Sequence, residues 1–464
     1  MYSSIIEDLL VPFYDIVRQT SRSKCRRVLE KTQYLSRQEI DCLQTYNLRL
    51  LIEHAYKSVP YYHNVFKERG LKPHDIKTIL DLEKLPVLTK ATIRQNFVDL
   101  ISREVSRNEL ISYSTGGTGS PLRFYITKEK ISWEVAAEYR AYAWAGYRLG
   151  DRCFMFWGAR RDLNLPKFSF TYYAREFAGL LQRTMVVDPF VLSEEALSGF
   201  AAALRKFKPQ VIRGYAMPVY MTAKFLVEKG IDDVRPRTVI TSAEMLFDPM
   251  RKTIQEAFGC PVFDHYGSRE IGAIASECEL HSGHHISAEN VVVEFAENGK
   301  SVEPGQSGVL LLTGLRNYAM PLIRYEIGDV GEPSDETCRC GRGLPLMKTI
   351  KGYESQFLGV RDKSSGRIIP ISSHIDFFID LLKSPPPNYR IIQESLSHVV
   401  IKIVAKGKNY SDEDVDLLVR ELRDCLGNDV EIEVQFVDTL PPLPSGKRSP
   451  VISKVNPFQD EFSK

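Results

Sequence analysis

Residues 238–267 read TVITSAEMLFDPMRKTIQEAFGCPVFDHYG. Two apolar β-type runs, TVITSAE and PVFDHYG, stand at the ends of this stretch with a longer segment between them, the pattern of strand, crossover and strand. The same texture extends upstream, where CFMFWG, TMVVD and QVIRGY follow Asp151 in turn, separated by stretches with helical periodicity such as Ser193 to Phe207. Runs this continuously apolar predict strands buried on both faces of an α/β sheet.

Outward from this core the texture changes. The first hundred residues read as a helical lead-in, punctuated at VPYY (Val59 to Tyr62) and LPVLTK (Leu85 to Lys90), where Pro60 and Pro86 are expected to end the preceding helices. Between Asn290 and Val330 closely spaced strands, NVVVEF and GVLLLTGL, are joined by a polar, glycine-containing turn around Asn298 to Gly308, which predicts a β-rich subdomain. After Gly352 the order is strand (YRIIQE), strand (HVVIKIVA), a helix opened by Ser411 with acidic residues in its first turn, and strand (VEIEVQFV). The expectation is an α/β fold with a large N-terminal domain, 1–351, whose residues 1–100 form the lead-in, and a small α+β domain, 352–464, with the break near Lys351 to Glu354. No internal repeat or low-complexity tract interrupts this plan.

Composition removes several classes of function. A chain of 464 residues, 43% of them hydrophobic, is too long for one small core and too apolar for disorder. Lys and Arg total 61 against 59 Asp and Glu, so no charge excess marks it as a nucleic-acid binder. The N-terminal stretch MYSSIIEDLLVPFYDIVRQTSRSKCRR is interrupted by Glu7, Asp8, Asp15 and Arg18, and no run approaches the roughly 20 apolar residues that span a bilayer. With no signal-peptide core either, the expected location is the cytoplasm, without an integral membrane segment. Eight cysteines are too few for a disulfide scaffold, and Cys25, Cys42, Cys153, Cys260 and Cys425 each stand alone. The remaining three do not: Cys278 is followed by His281, His284 and His285, and later by Cys338-Arg339-Cys340-Gly341, thiolates and imidazoles of the kind that form a tetrahedral zinc site.

The clearest chemical signal is SYSTGGTGSPLRFYIT, Ser112 to Thr127. Gly116, Gly117 and Gly119 let a loop bring its N–H groups close to phosphate oxygens, and Ser114, Thr115 and Thr118 add hydroxyl donors without bulk. The loop lacks the Lys-Ser/Thr ending of the Walker type, and by itself such a loop is as readily an ordinary surface turn.

Further segments occur in a fixed order around it: VPYYHNVFKERG (Val59 to Gly70), LPVLTKATIRQNF (Leu85 to Phe97), STGGTGSP, TSAEML (Thr241 to Leu246), HYGSREIG (His265 to Gly272), MPLIRYEIGD (Met320 to Asp329) and LPSGKRSPVIS (Leu443 to Ser453). Almost end to end, this series resembles the adenylate-forming enzymes, specifically the phenylacetate–CoA ligase family and its CapK-type relatives from capsule and surface-polysaccharide gene clusters. The resemblance implies that Ser114, Thr115, Gly116, Gly117, Thr118 and Gly119 form a phosphate loop and that Ser242, Ala243 and Glu244 form the strand end that contacts adenine. It implies a nucleotide role for His265, Tyr266, Gly267 and Ser268, with an aromatic ring against adenine and Glu270 holding Mg²⁺. Asp329, in the segment that also carries Arg324, would accept the ribose hydroxyls. Lys447 would be the catalytic cation, on a small mobile domain that rotates between half-reactions. A structural zinc on Cys278, His285, Cys338 and Cys340 is implied too, with His285 matching the family's histidine.

One departure stands at the expected hinge. Relatives there carry Gly-Arg-x-Asp-Asp, whereas this chain reads KGYESQF, with Tyr353 in place of the arginine and Glu354 and Gln356 in the acidic stretch. The expected function is an ATP-, Mg²⁺- and CoA-dependent acid–thiol ligase acting on a small carboxylic acid. Transfer to an amine or a carrier-protein thiol, transfer of AMP to a deazaflavin coenzyme, and a non-catalytic nucleotide-binding scaffold in polysaccharide assembly are the alternatives. Trp144, Phe154, Phe156, Trp157 and Tyr215 are the aromatic candidates for an acyl pocket, with Arg160, Arg161 and Arg213 as polar ones.

Overall fold

The computed structural model describes residues 5–114, 122–157, 183–189, 192–351, 358–361, 368–371, 389–404, 410–427, 429–440 and 451–455. Two compact units divide the chain: Met1–Ser114, Leu122–Asp151 and Phe263–Gly352 form one, and Thr115–Pro121, Arg152–Val262 and Tyr353–Lys464 form the other.

In the first unit the lead-in is helical, with Val11–Arg18, Arg22–Thr32, Arg37–Ser58 and Pro60–Glu68 in succession. The longest of these opens on a capping box, Ser36 accepting from the Glu39 N–H while the Glu39 carboxylate accepts from the Ser36 N–H, worth about 1 kcal/mol. Pro60 takes the first position of the next helix, where its missing N–H costs nothing. What precedes Pro86 differs from the expectation: Leu80–Lys84 is a short 3-10 stretch rather than an α-helix. Leu48, Leu51 and Ile52 from Arg37–Ser58 share one core with Phe66, Phe124, Ile274 and Leu312, all fully buried. Each such side chain contributes roughly 1.5–3 kcal/mol relative to exposure.

These helices cover an antiparallel sheet. Its strands run in spatial order Val262–Ser268, Gly272–Glu277, His284–Ile286, Leu346–Lys351, Tyr325–Ser334, Gly308–Gly314, Val291–Glu297 and Lys300–Ser301. NVVVEF and GVLLLTGL thus pair directly, Val291 opposite Gly314 and Ala296 opposite Val309, as the β-rich texture predicts.

The second unit holds the parallel strands that the apolar runs predict. Val211–Tyr215 lies between Thr238–Ser242 and Cys153–Phe156, and Cys153–Phe156 also pairs with Thr184–Val187, every contact parallel. The connecting chain includes the helices Glu194–Phe207 and Ala216–Glu228. Phe154, Phe156, Ile212, Leu226 and Val239 make the core against them. Further along, His398–Val404 pairs antiparallel with Tyr389–Ser395 and parallel with Glu431–Val437, the crossover being the Ser411-capped helix Asp412–Leu426. A short strand absent from the expectation, Val451–Ser453, adds in parallel to Tyr389–Ser395. Among the described residues no helix is long and apolar enough to cross a membrane.

Candidate active site

Two motifs that lie far apart in sequence meet in the first unit. Val262–Ser268 and Gly272–Glu277 form a hairpin whose register shifts between Tyr266 and Gly267. That bulge re-aims Tyr266, and it explains the glycine: a Cβ on Gly267 would lie 2.8 Å from the Gly272 carbonyl oxygen. Tyr266 donates its hydroxyl to Asp329 Oδ2 at 2.6 Å. From the Asp329 strand, Tyr325 donates back to Glu270 Oε1 at 2.9 Å. The two pairs run crosswise, each motif giving one tyrosine to the other's carboxylate.

Burial sets the protonation of both tyrosines. Glu270 is 6% exposed and Tyr325 fully buried. Burial, with Asp329 next, drives the Tyr266 phenol well above its usual range, and burial followed by Glu270 does the same to Tyr325. Both hydroxyls therefore stay protonated donors to their carboxylates. Tyr325 is the residue that sequence reasoning missed, although it stands in the quoted MPLIRYEIGD segment.

Other candidates lie on the same hairpin. His265, nearly buried, shares a 2.7 Å hydrogen bond between its Nδ1 and Ser276 Oγ and lies edge-on to Tyr142. The Ser268 hydroxyl accepts from the Ile271 N–H, closing the hairpin turn, and Arg269 donates to the Ser114 carbonyl at 3.2 Å. Arg324 is placed elsewhere than beside Asp329. Its guanidinium donates to Glu294 (3.0 Å), the Leu85 carbonyl (2.7 Å) and the Gly299 carbonyl (2.6 Å), and burial pushes the Glu294 carboxyl up to about 7. These contacts make Arg324 a packing element that ties the lead-in to the sheet.

In the second unit, Ser242 ends its strand and Ala243 takes a left-handed φ of 67°, a conformation that costs an L-residue about 1–2 kcal/mol. Glu244 holds this turn by accepting the Met217 N–H at 2.8 Å, at the start of the Ala216–Glu228 helix, where the helix dipole favours a carboxylate. Thr115, Gly116, Gly117, Thr118, Gly119, Lys447 and the hinge residues Tyr353, Glu354 and Gln356 lie outside the described residues, as do Arg160 and Arg161.

A second constellation is the Cys/His cluster. The ligand atoms of Cys278, His285, Cys338 and Cys340 all lie within 4.8 Å of one another. Cys278 Sγ and Cys338 Sγ are 3.7 Å apart, and Cys340 Sγ is 3.3 Å from His285 Nε2. Two thiolates bound to one zinc at ~2.3 Å and a tetrahedral angle sit about 3.8 Å apart, so the spacing fits that ion. His285 Nδ1 faces the Leu344 carbonyl at 3.4 Å, which leaves Nε2 as the ligand atom. Burial holds the imidazole down to about 4, hence neutral, and burial raises Cys278 to about 12. Burial would raise Cys340 too, but hydrogen bonds from Arg342 bring it below the ordinary thiol value.

Three aromatic candidates for an acyl pocket find other employment. Trp144 lies edge-on to His285 at 5.6 Å, beneath the Arg342 guanidinium at 4.7 Å, with its indole N–H on Gln33. Phe154 and Phe156 are fully buried in the core of the second unit. Trp157 stacks on Tyr215 with ring centroids 4.7 Å apart.

Comparison with known proteins agrees with these motifs. Residues 373–454 match the family described as the CapK C-terminal domain. The chain is 25% identical over 428 residues to protein CapK of Staphylococcus aureus, with 89% of each covered. It is 28% identical over 340 residues to the phenylacetate-coenzyme A ligase of Thermus thermophilus, with 70% of this chain and 73% of that one covered. These findings liken the chain to the CapK-type, phenylacetate–CoA ligase-like branch of the adenylate-forming enzymes. A crystal structure of 2-hydroxyisobutyryl-CoA ligase in complex with 2-HIB-AMP and CoA shares the fold of this chain, with a TM-score of 0.60 over 92% of both chains at 19% identity.

Proposed function

We propose that this chain is an adenylate-forming enzyme that activates a carboxylic acid with ATP and passes the acyl group to the thiol of coenzyme A. The observation that carries the reading is the crosswise pairing of Tyr266 with Asp329 and Tyr325 with Glu270. It gathers the two carboxylates that nucleotide chemistry needs, one for vicinal hydroxyls and one for a cation, beside an aromatic ring. Relatives named as phenylacetate-coenzyme A ligases, 28–29% identical over 63–72% of the chain, support the same chemistry.

In the first half-reaction a carboxylate oxygen of the acid attacks the α-phosphorus, the bond to the bridging oxygen breaks, and pyrophosphate leaves. Asp329 would accept the ribose hydroxyls in place of the Tyr266 hydroxyl it holds here. Glu270 would hold Mg²⁺, which supplies positive charge at the phosphates. Lys447 would offer its ammonium to the charge that builds up as pyrophosphate departs. In the second half-reaction the coenzyme A sulfur attacks the acyl carbon, AMP leaves, and the thiol proton goes to solvent. We assign Lys447 to a domain comprising 352–464, and the rest of the site to 1–351.

The Cys/His cluster would hold one zinc ion through Cys278, His285, Cys338 and Cys340, with no position left open, so its contribution is structural. The test of the function is incubation with ATP, Mg²⁺, a carboxylic-acid panel and, separately, coenzyme A, an amine and a carrier-protein thiol. AMP release matched by acyl-CoA is the expected result. AMP release only with another acceptor would reassign the second half-reaction.

A further inference from the structure

A row of large apolar side chains faces outward near the start of the chain. Leu9, Phe13, Ile16 and Val17 are 65%, 65%, 77% and 62% exposed. Spaced four, three and one residues apart, they share one side of the continuous helical stretch Ile6–Leu10 and Val11–Arg18. A lone exposed leucine needs no explanation, but four such residues on one helix face do.

The other side of this helix is fixed. Asp15, 9% exposed, accepts hydrogen bonds from the N–H of Arg22 (3.1 Å), the N–H of Ser23 (2.8 Å) and the hydroxyls of Ser23 and Thr20 (both 2.7 Å). That carboxylate occupies the N-terminus of the next helix, Arg22–Thr32, and locks the two helices into one corner. The apolar side is therefore held outward by the fold rather than by chance of rotamer.

Cations predominate on the two helices of this corner. Arg18 and Arg22 lie over the Tyr14 ring, at 5.9 and 4.8 Å from its centroid, where the apolar helix ends. Lys24, Arg27 and Lys31 are exposed at helical spacing on the second helix. Of the nearby acids, Glu7 and Glu30 are engaged with Arg26 at 3.3 and 3.2 Å and Asp15 in its cap, while Asp8, beside Leu9, is exposed. Among the described residues no carboxylate pairs with Arg18, Lys24, Arg27 or Lys31. The chain-wide balance of 61 cations to 59 anions conceals this local asymmetry.

We propose that this N-terminal helix pair docks the protein reversibly on an anionic lipid surface. Leu9, Phe13, Ile16 and Val17 enter the boundary between headgroups and acyl chains, while the arginines and lysines meet lipid phosphates. A second copy of the chain is the rival occupant. A two-fold contact, however, sets a patch against itself and brings two sets of cations together, whereas anionic lipid complements them.

The test is co-sedimentation of the full chain with vesicles of phosphatidylcholine alone and of phosphatidylcholine with phosphatidylglycerol. Binding to the phosphatidylglycerol vesicles at low salt is expected, weakening at high salt. Phe13→Ser with Ile16→Ser is expected to weaken it at least tenfold, and Lys24→Gln or Arg27→Gln about fivefold each. Unchanged thermal unfolding of these variants shows that they still fold, since the altered positions are exposed. Binding to neither vesicle, equal binding of wild type and the double variant, or a wild-type dimer dissolved by that variant in sedimentation velocity would overturn the proposal.

Discussion

Tyr325 and Tyr266 each give one hydroxyl to one carboxylate, so single-atom substitutions test what those hydroxyls do. Tyr325→Phe removes the 2.9 Å donor to a Glu270 carboxylate that is 6% exposed. A hydrogen bond to a charged group contributes about 1.5–3 kcal/mol, so adenylation at limiting Mg²⁺ should fall on the order of ten- to a hundredfold. Raising Mg²⁺ should restore it, and an unaltered Mg²⁺ dependence would speak against Glu270 as the metal carboxylate. Glu270, Tyr266 and Asp329 were legible in the sequence because short motifs carry them at fixed spacing. Tyr325 was not, because its partner depends on strand register across the sheet, which spacing within one segment does not encode. The same limit explains Arg324, Trp144, Phe154 and Phe156. An arginine or an aromatic ring has the same chemistry in a core as in a site, and only the neighbours, Glu294 for Arg324 or His285 for Trp144, tell which it serves.

Hairpins and helices give the next scale its tests. Gly267→Ala sets a Cβ 2.8 Å from the Gly272 carbonyl oxygen, and the bulge that aims Tyr266 must shift. A stability loss of about 1–3 kcal/mol is expected in thermal or denaturant unfolding. Gly199→Ala is the control, because that helical glycine has nothing within 4 Å of a built Cβ and alanine there should stabilise by about 0.5–1 kcal/mol. The Cys/His cluster ties the His284–Ile286 strand to the segment before Leu346–Lys351, and freshly purified protein should carry about one equivalent of zinc by elemental analysis. Far less than one equivalent would remove zinc from the account. In zinc-free protein, burial holds His285 down to about 4, below the ordinary imidazole range, so the folded state binds fewer protons there than the unfolded chain. The contribution of His285 to the stability of zinc-free protein is accordingly full above about pH 6.5 and is lost as pH falls toward about 4, so acid unfolding of zinc-free protein should be steeper with His285 than in His285→Asn. The parallel strands were readable because they are continuous apolar runs. Val451–Ser453 was not, since three residues after a Pro/Gly/Ser-rich stretch carry no periodicity and only pairing with Tyr389–Ser395 makes them a strand.

For the whole molecule, the order of motifs mattered more than any one of them. A glycine-rich loop, a Tyr-Gly-x-x-Glu turn and a late lysine are each common, but their sequence along the chain matches one branch of enzymes. Lys447→Ala should lower adenylation on the order of a hundredfold or more while sparing thioester formation from supplied acyl-adenylate. Equal damage to both half-reactions would show that the lysine serves more than the first. The most direct measurement is exchange of labelled pyrophosphate into ATP across a panel of carboxylic acids, because it reports acyl-adenylate formation with no acceptor needed. The account predicts acid-dependent exchange with at least one acid, abolished in Asp329→Ala and Lys447→Ala; exchange with none of the panel, or exchange untouched by both substitutions, would contradict it.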